Sequence, residues 1–294
     1  MPKAKVNGVD LHYEVAGEGF PLVLSHEFGG DGRSWDTQVK YFSRYYQVVT
    51  YNHRGFPPSE TPEDPAAYSQ EVLVEDLHQL LHHLGINQAY VGGLSLGGNV
   101  ALNYGIAHPE VVKALVVAAT GSGSMDREQF EVDLEHLARL FETEGVGAVA
   151  ELQSKSPTRV QLLRKDPKGW QVFRENFKSH SAIGSTHILR GVILKRPNIF
   201  ALEYKLRQLR VPALIMVGDE DDPCVEPAVF MKRNIPCSGL VVFPQSGHAI
   251  NLEEPDLFNR AVRDFLTLME ARRWAVRQPQ HGRASVFFPG ETKG

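Results

Sequence analysis

The sequence predicts an α/β fold on a mostly parallel sheet, and three of its features carry that expectation. Short apolar runs alternate with helix-period segments through residues 1–121 and again through 210–271. A Gly-x-Ser-x-Gly pentapeptide sits between one such run and the helical pattern that follows it. Between the two alternating stretches, residues 122–209 read as helices alone, broken by Gly and Pro.

The elements follow in order. Leu11 to Ala16 and Pro21 to Ser25 read as strands around the turn Gly17-Glu18-Gly19, and Gln47 to Tyr51 as the next. Glu71 to Leu84 places Leu73, Leu77, Leu80, Leu81 and Leu84 at helical spacing and stops at Gly85. Ala89 to Leu94 is a strand, Leu96 to Ala107 a helix, and Lys113 to Ala119 a continuous apolar run of the kind buried on both faces. Asp126 caps an amphipathic helix to Glu144 that opens the helical stretch. Alternation resumes with a strand at Val211 to Val217, a helix at Pro227 to Asn234, a strand at Gly239 to Phe243 and a helix at Pro255 to Ala271. The predicted organisation is a core in two parts (1–121 and 210–271), a helical domain (122–209) and a polar tail (272–294).

Composition narrows the function. A chain of 294 residues, 42% hydrophobic, can bury a large core. A net charge of −4 without a Lys/Arg run gives no electrostatic footprint for nucleic acid. Two cysteines, Cys224 and Cys237, do not make a disulfide scaffold, so a reduced, cytoplasmic protein is expected. The polar start Met1-Pro2-Lys3-Ala4-Lys5 reads as no secretory signal, and no apolar run approaches the roughly 20 residues of a membrane span.

Ser95 is the expected nucleophile. A serine at the tip of a tight strand-to-helix turn needs small neighbours, which Gly93 and Gly97 provide. The helix behind it turns its N–H groups and positive dipole end toward an oxyanion. A serine hydroxyl also needs a base. Of twelve histidines, His248 lies between the last strand and the last helix, at the carboxyl edge of the sheet that also carries Ser95. Gly218-Asp219-Glu220-Asp221-Asp222-Pro223 follows the preceding strand and offers the acid, Asp221 with Asp222 as rival.

With these pieces placed, the chain resembles the α/β-hydrolase family with a helical cap, in the branch of 3-oxoadipate enol-lactonases, carboxylesterases and carbon–carbon bond hydrolases. The resemblance rests on Gly93-Leu94-Ser95-Leu96-Gly97, Gly218-x-x-Asp221, Gly247-His248 with Leu252-Glu253-Glu254-Pro255, and Tyr51-Asn52-His53-Arg54-Gly55. It implies an eight-stranded sheet flanked by helices, with the cap inserted after the sixth strand. It favours Asp221 over Asp222. It also implies an oxyanion hole made by the N–H groups of Leu96 and of Phe28, within Ser25-His26-Glu27-Phe28-Gly29-Gly30. The family's pattern has glycine where this chain has Glu27. That carboxylate is expected either to turn to solvent or Arg33, or to reach the pocket and repel anionic substrates.

His26, Glu27, Trp170, Phe173 and His187 are the candidate pocket residues, with His180 and Arg190 as further polar contacts. The aromatic stripe Trp170, Phe173, Phe177 would also serve the cap's own packing. No His/Cys/Asp group shows metal-ligand spacing, and the mechanism needs no cofactor or metal. The expected activity is hydrolysis of a small carboxylic ester or lactone through an acyl-enzyme. Carbon–carbon hydrolysis, perhydrolysis and a small-molecule receptor on the same fold are the alternatives. The expected partner is the small-molecule substrate, with neither nucleic acid nor membrane, and a homodimer is a further arrangement the sequence admits.

Overall fold

The computed structural model describes residues 2–276, so the tail expectation lies outside the described residues from 277 onward. Eight strands form one sheet: β1 (Lys3–Val6), β2 (Val9–Ala16), β3 (Pro21–Ser25), β4 (Gln47–Tyr51), β5 (Ala89–Leu94), β6 (Val112–Ala118), β7 (Ala213–Gly218) and β8 (Ser238–Phe243). Their order is β1-β2-β4-β3-β5-β6-β7-β8, with only the β1–β2 and β2–β4 pairs antiparallel. Central β5 and β7 are buried at every residue, which is why they read as unbroken apolar runs. β1 carries little sequence signal, because Lys3-Ala4-Lys5-Val6 is short and alternates exposed with buried positions at the sheet edge.

Helices α1 (Asp36–Phe42), α2 (Gln70–His83) and α3 (Leu96–Ala107) belong to the first part of the core. The helical insertion holds α4 (Arg127–Thr143), α5 (Gly145–Gln153), α6 (Val160–Lys165), α7 (Pro167–Lys178) and α8 (Ala182–His187). A π-helical turn (Ile188–Ile193) and α9 (Glu203–Gln208) complete it before β7. α10 (Asp222–Asn234), α11 (Ile250–Glu253) and α12 (Pro255–Glu270) finish the fold. α10 starts five residues before the expected Pro227, because Pro223 suits a first helical turn and Pro227 forfeits only one hydrogen bond.

One face of the sheet packs Trp35, Phe42, Phe258 and Phe265 beneath α1 and α12, and the other packs a larger cluster beneath α2, α3 and the insertion. Trp274 docks on α12 and β8: its ring lies 4.6 Å from Phe265, and its indole N–H donates to the Cys237 carbonyl at 2.8 Å. Strand order reverses between β3 and β5, so the loops leaving these two strands flank a crevice at the carboxyl edge. That crevice receives Ser95 from β5 and residues 26–30 from β3.

Candidate active site

Ser95 occupies the left-handed region, φ 55° and ψ −109°, at the junction of β5 and α3. Such backbone is costly for a non-glycine residue and persists where its surroundings dictate it. Those surroundings are tight. A Cβ on Gly93 would stand 2.2 Å from the Gly97 carbonyl oxygen, and one on Gly97 would stand 2.1 Å from that of Ser25. The Ser95 N–H donates to the Ala118 carbonyl on β6 at 2.9 Å, fixing the turn to the neighbouring strand.

His248 follows β8, and Asp221 follows β7 as the N-cap residue of α10. Asp221 Oδ2 lies 2.8 Å from His248 Nδ1, with both residues buried. Asp222 is exposed as the first residue of α10. Among the described residues Ser95 Oγ and His248 Nε2 share no hydrogen bond, as is common before substrate draws such groups together. The His248 loop is held from both sides. Its N–H donates to the Thr158 carbonyl of the insertion at 2.6 Å, and the Glu253 carboxylate accepts from the Gly247 and Ala249 N–H groups at 2.7 and 3.0 Å. Burial raises the Glu253 pKa against those two hydrogen bonds.

Cys224 completes a buried cluster that residue spacing did not show. Atoms of Asp221, Cys224 and His248 lie within 4.8 Å of one another. These are ligand types that a thiophilic cation accepts. Burial, with the Asp221 carboxylate beside it, pushes the Cys224 thiol well above its usual pKa. The group is therefore a neutral thiol behind a hydrogen-bonded Asp–His pair.

On the facing side, neither the Phe28 nor the Leu96 N–H has a protein acceptor among the described residues. The loop that carries Phe28 rests on a buried polar chain. His26 donates from Nδ1 to the Glu27 carbonyl at 2.7 Å and accepts the His53 N–H on Nε2 at 3.0 Å. His53 Nε2 meets Ser25 Oγ at 3.0 Å, and Ser25 Oγ meets the Tyr51 hydroxyl at 3.1 Å. Burial lowers His26 to about 4 and His53 well below the ordinary imidazole value, so both rings are neutral at pH 7.

The pocket candidates lie in several different settings. His26 is fully buried with both ring nitrogens engaged, so it supports the loop from beneath. Glu27 turns neither to solvent nor to Arg33. Its Oε2 accepts from Arg159 Nη1 at 2.6 Å, and both side chains are buried. Arg33 instead grips Asp31 and donates to Ser179 Oγ at 2.8 Å. Burial opposes ionisation of Asp31, but hydrogen bonds from Arg33 and His180 outweigh it and hold the carboxyl well below its usual range. Trp170 packs within the insertion: its indole N–H donates to the Ser154 carbonyl at 2.7 Å, and Arg174 lies 4.8 Å over the ring. His187 bonds the Glu63 carbonyl at 2.9 Å and packs on Tyr68, and Arg190 pairs with Glu135 and Glu142. Phe173 does reach the loop and covers Gly29, where an added Cβ would stand 3.2 Å from its ring. The Phe28 ring is itself buried, edge-on to Phe56, Phe141 and Phe177. Thr158, Arg159 and Glu253 were not assigned from the sequence; only Glu253 carried a signal there, in the Leu252-Glu253-Glu254-Pro255 motif.

A family model described as the alpha/beta hydrolase fold matches residues 21–255. The chain belongs to the α/β-hydrolase fold family. Its relatives within that fold include hydrolases. A protein of Agrobacterium fabrum, provisionally named carbamate hydrolase RutD, is 27% identical over 272 residues, covering 87% of this chain and 98% of its own. An enol-lactonase from Burkholderia xenovorans superposes with a TM-score of 0.80 at 26% identity, over 90% of this chain and all of the other. A thermophilic esterase from Thermogutta terrifontis, determined with malate bound, gives a TM-score of 0.82 at 26% identity, over 92% of this chain and 99% of its own. Among the described residues no helix is long and apolar enough to cross a membrane.

Proposed function

We propose that this protein hydrolyses a small carboxylic ester or lactone through an acyl-enzyme on Ser95. The observation that carries the reading is the placement of one hydrogen-bonded pair. His248 and Asp221 stand off the same carboxyl edge of the sheet as Ser95, beside which the Leu96 N–H and the Phe28 N–H of the loop after β3 have no acceptor among the described residues. The solved enol-lactonase and esterase of similar fold support the choice of bond.

Each step conserves charge and protons. Ser95 Oγ attacks the carbonyl carbon while its proton passes to His248 Nε2. The carbonyl π electrons move onto oxygen, and the Leu96 and Phe28 N–H groups hold that oxyanion. Collapse breaks the carbon–oxygen bond to the leaving group, which takes the proton from His248. A water then attacks the acyl-enzyme and gives its proton to His248; the acid departs, and the proton returns to Ser95 Oγ. Asp221 accepts from Nδ1 throughout and stabilises the transient imidazolium.

The test is turnover of short p-nitrophenyl esters, paired with labelling by a fluorophosphonate. Ser95→Ala is expected to abolish both. A Ser95→Ala enzyme with full esterase activity would overturn the proposal.

A further inference from the structure

The segment Thr158-Arg159, just ahead of α6, touches both halves of the candidate site. The Thr158 carbonyl holds the His248 N–H, and the Arg159 guanidinium holds Glu27, the residue before Phe28. Glu27 and Arg159 are 132 positions apart in the chain, and their side chains are 0% and 10% exposed. Among the described residues the other Glu27 oxygen, Oε1, has no hydrogen-bond partner, and Arg159 is the one cation paired with this carboxylate. The guanidinium also lies 5.6 Å over the Phe173 ring, with Nη2 against Gly29.

We propose that Arg159 acts on the reaction through Glu27, as a positioning residue that cancels the Glu27 charge beside the oxyanion hole. The inference rests on the reading of that N–H as an oxyanion donor. A bare carboxylate one residue from the donor would oppose negative charge developing on the substrate oxygen, and a buried charge is screened weakly. Paired at 2.6 Å, the two charges leave only a dipole field. Glycine at position 27 needs no such partner. Glu27 and Arg159 therefore act as one unit that spans core and insertion, and loss of the cation is worse than loss of both charges.

The experiment compares Arg159→Lys, Arg159→Gln, Glu27→Gln and the neutral double variant Glu27→Gln/Arg159→Gln in kcat and KM on p-nitrophenyl acetate. Arg159→Gln is expected to lower kcat about tenfold, a fraction of the ~10²–10³ that loss of a donor costs, while KM stays within about twofold. The double variant recovers most of that loss, and Arg159→Lys, which keeps the charge, loses less than Arg159→Gln. A merely structural role predicts the reverse pattern, with the double variant no better than Arg159→Gln and activity following the folded fraction. That result overturns the proposal. If Arg159→Gln does not fold, Glu27→Gln decides: it removes the opposing charge, so a tenfold fall in its kcat overturns the proposal and an unchanged or higher kcat supports it. Ser95→Ala in the same assay separates the two ideas. An active Ser95→Ala removes the acyl-enzyme reading itself, whereas an inactive one without the charge pattern removes only the role of Arg159.

Discussion

His248 Nδ1 and Asp221 Oδ2 stand 2.8 Å apart, while the neighbouring Asp222 faces solvent at the start of α10. One peptide unit thus separates a carboxylate that orients the imidazole from one that only begins a helix. Asp221→Asn should lower kcat by roughly 10³–10⁴, because the amide stabilises the wrong tautomer. Asp222→Asn should stay within about twofold, since surface changes of this kind shift stability by no more than about 0.5 kcal/mol. Ester turnover of both variants checks the pair, and equal losses would remove Asp221 from its role.

Stability should fall between pH 6.5 and 4. In the unfolded chain His26 takes a proton near 6.5, whereas burial in the fold holds it neutral down to about 4. The unfolded state therefore binds more protons across that window, and acidification favours it. Full stability is present above 6.5, and the His26 contribution is lost progressively down to about 4. The loss is about 3 kcal/mol, with a further loss from His53 in the same direction. Urea midpoints at pH 7, 5.5 and 4 measure it, and His26→Asn should flatten the slope.

Trp170→Ala should destabilise the protein by about 3–5 kcal/mol, the range for removing a buried aromatic side chain. The indole fills the insertion and donates to Ser154, so preference among esters of different acyl length should not move. Thermal unfolding together with a substrate series distinguishes packing from a pocket role, and a changed preference would assign Trp170 to the pocket.

Two glycines should respond oppositely to alanine. Gly97→Ala drives a methyl group into the Ser25 carbonyl, with at least about 4 kcal/mol lost or no folded protein obtained. Gly147, exposed on α5 with nothing within 4 Å of an added Cβ, should gain up to about 1 kcal/mol from helix propensity. Soluble yield and melting temperature report both, and a stable Gly97→Ala would show that the turn has room.

What could be read from the chain beforehand follows how local each signal is. Ser95, Gly93 and Gly97 lie within five residues and state their own geometry, and the buried strands state theirs through apolar runs. His248 and Asp221 were reachable because each follows a strand at one sheet edge. The partner of Glu27 was not, since no periodicity relates position 27 to position 159 and the nearer Arg33 was already committed to Asp31. Trp170 and His187 had the right residue types for a pocket, but only tertiary packing reveals that their polar atoms are spent on Ser154 and Glu63.

The insertion grows out of the crossover between β6 and β7, which pair directly in the sheet. Lengthening such a connection is inexpensive, at about 0.6 kcal/mol for each doubling, so the sheet itself would tolerate a shorter or foreign roof. The obstacle is electrostatic. A transplanted roof that brings no cation to the place of Arg159 would strand a negative charge inside the core, and exchange of this module among hydrolases would require residue 27 to change with it.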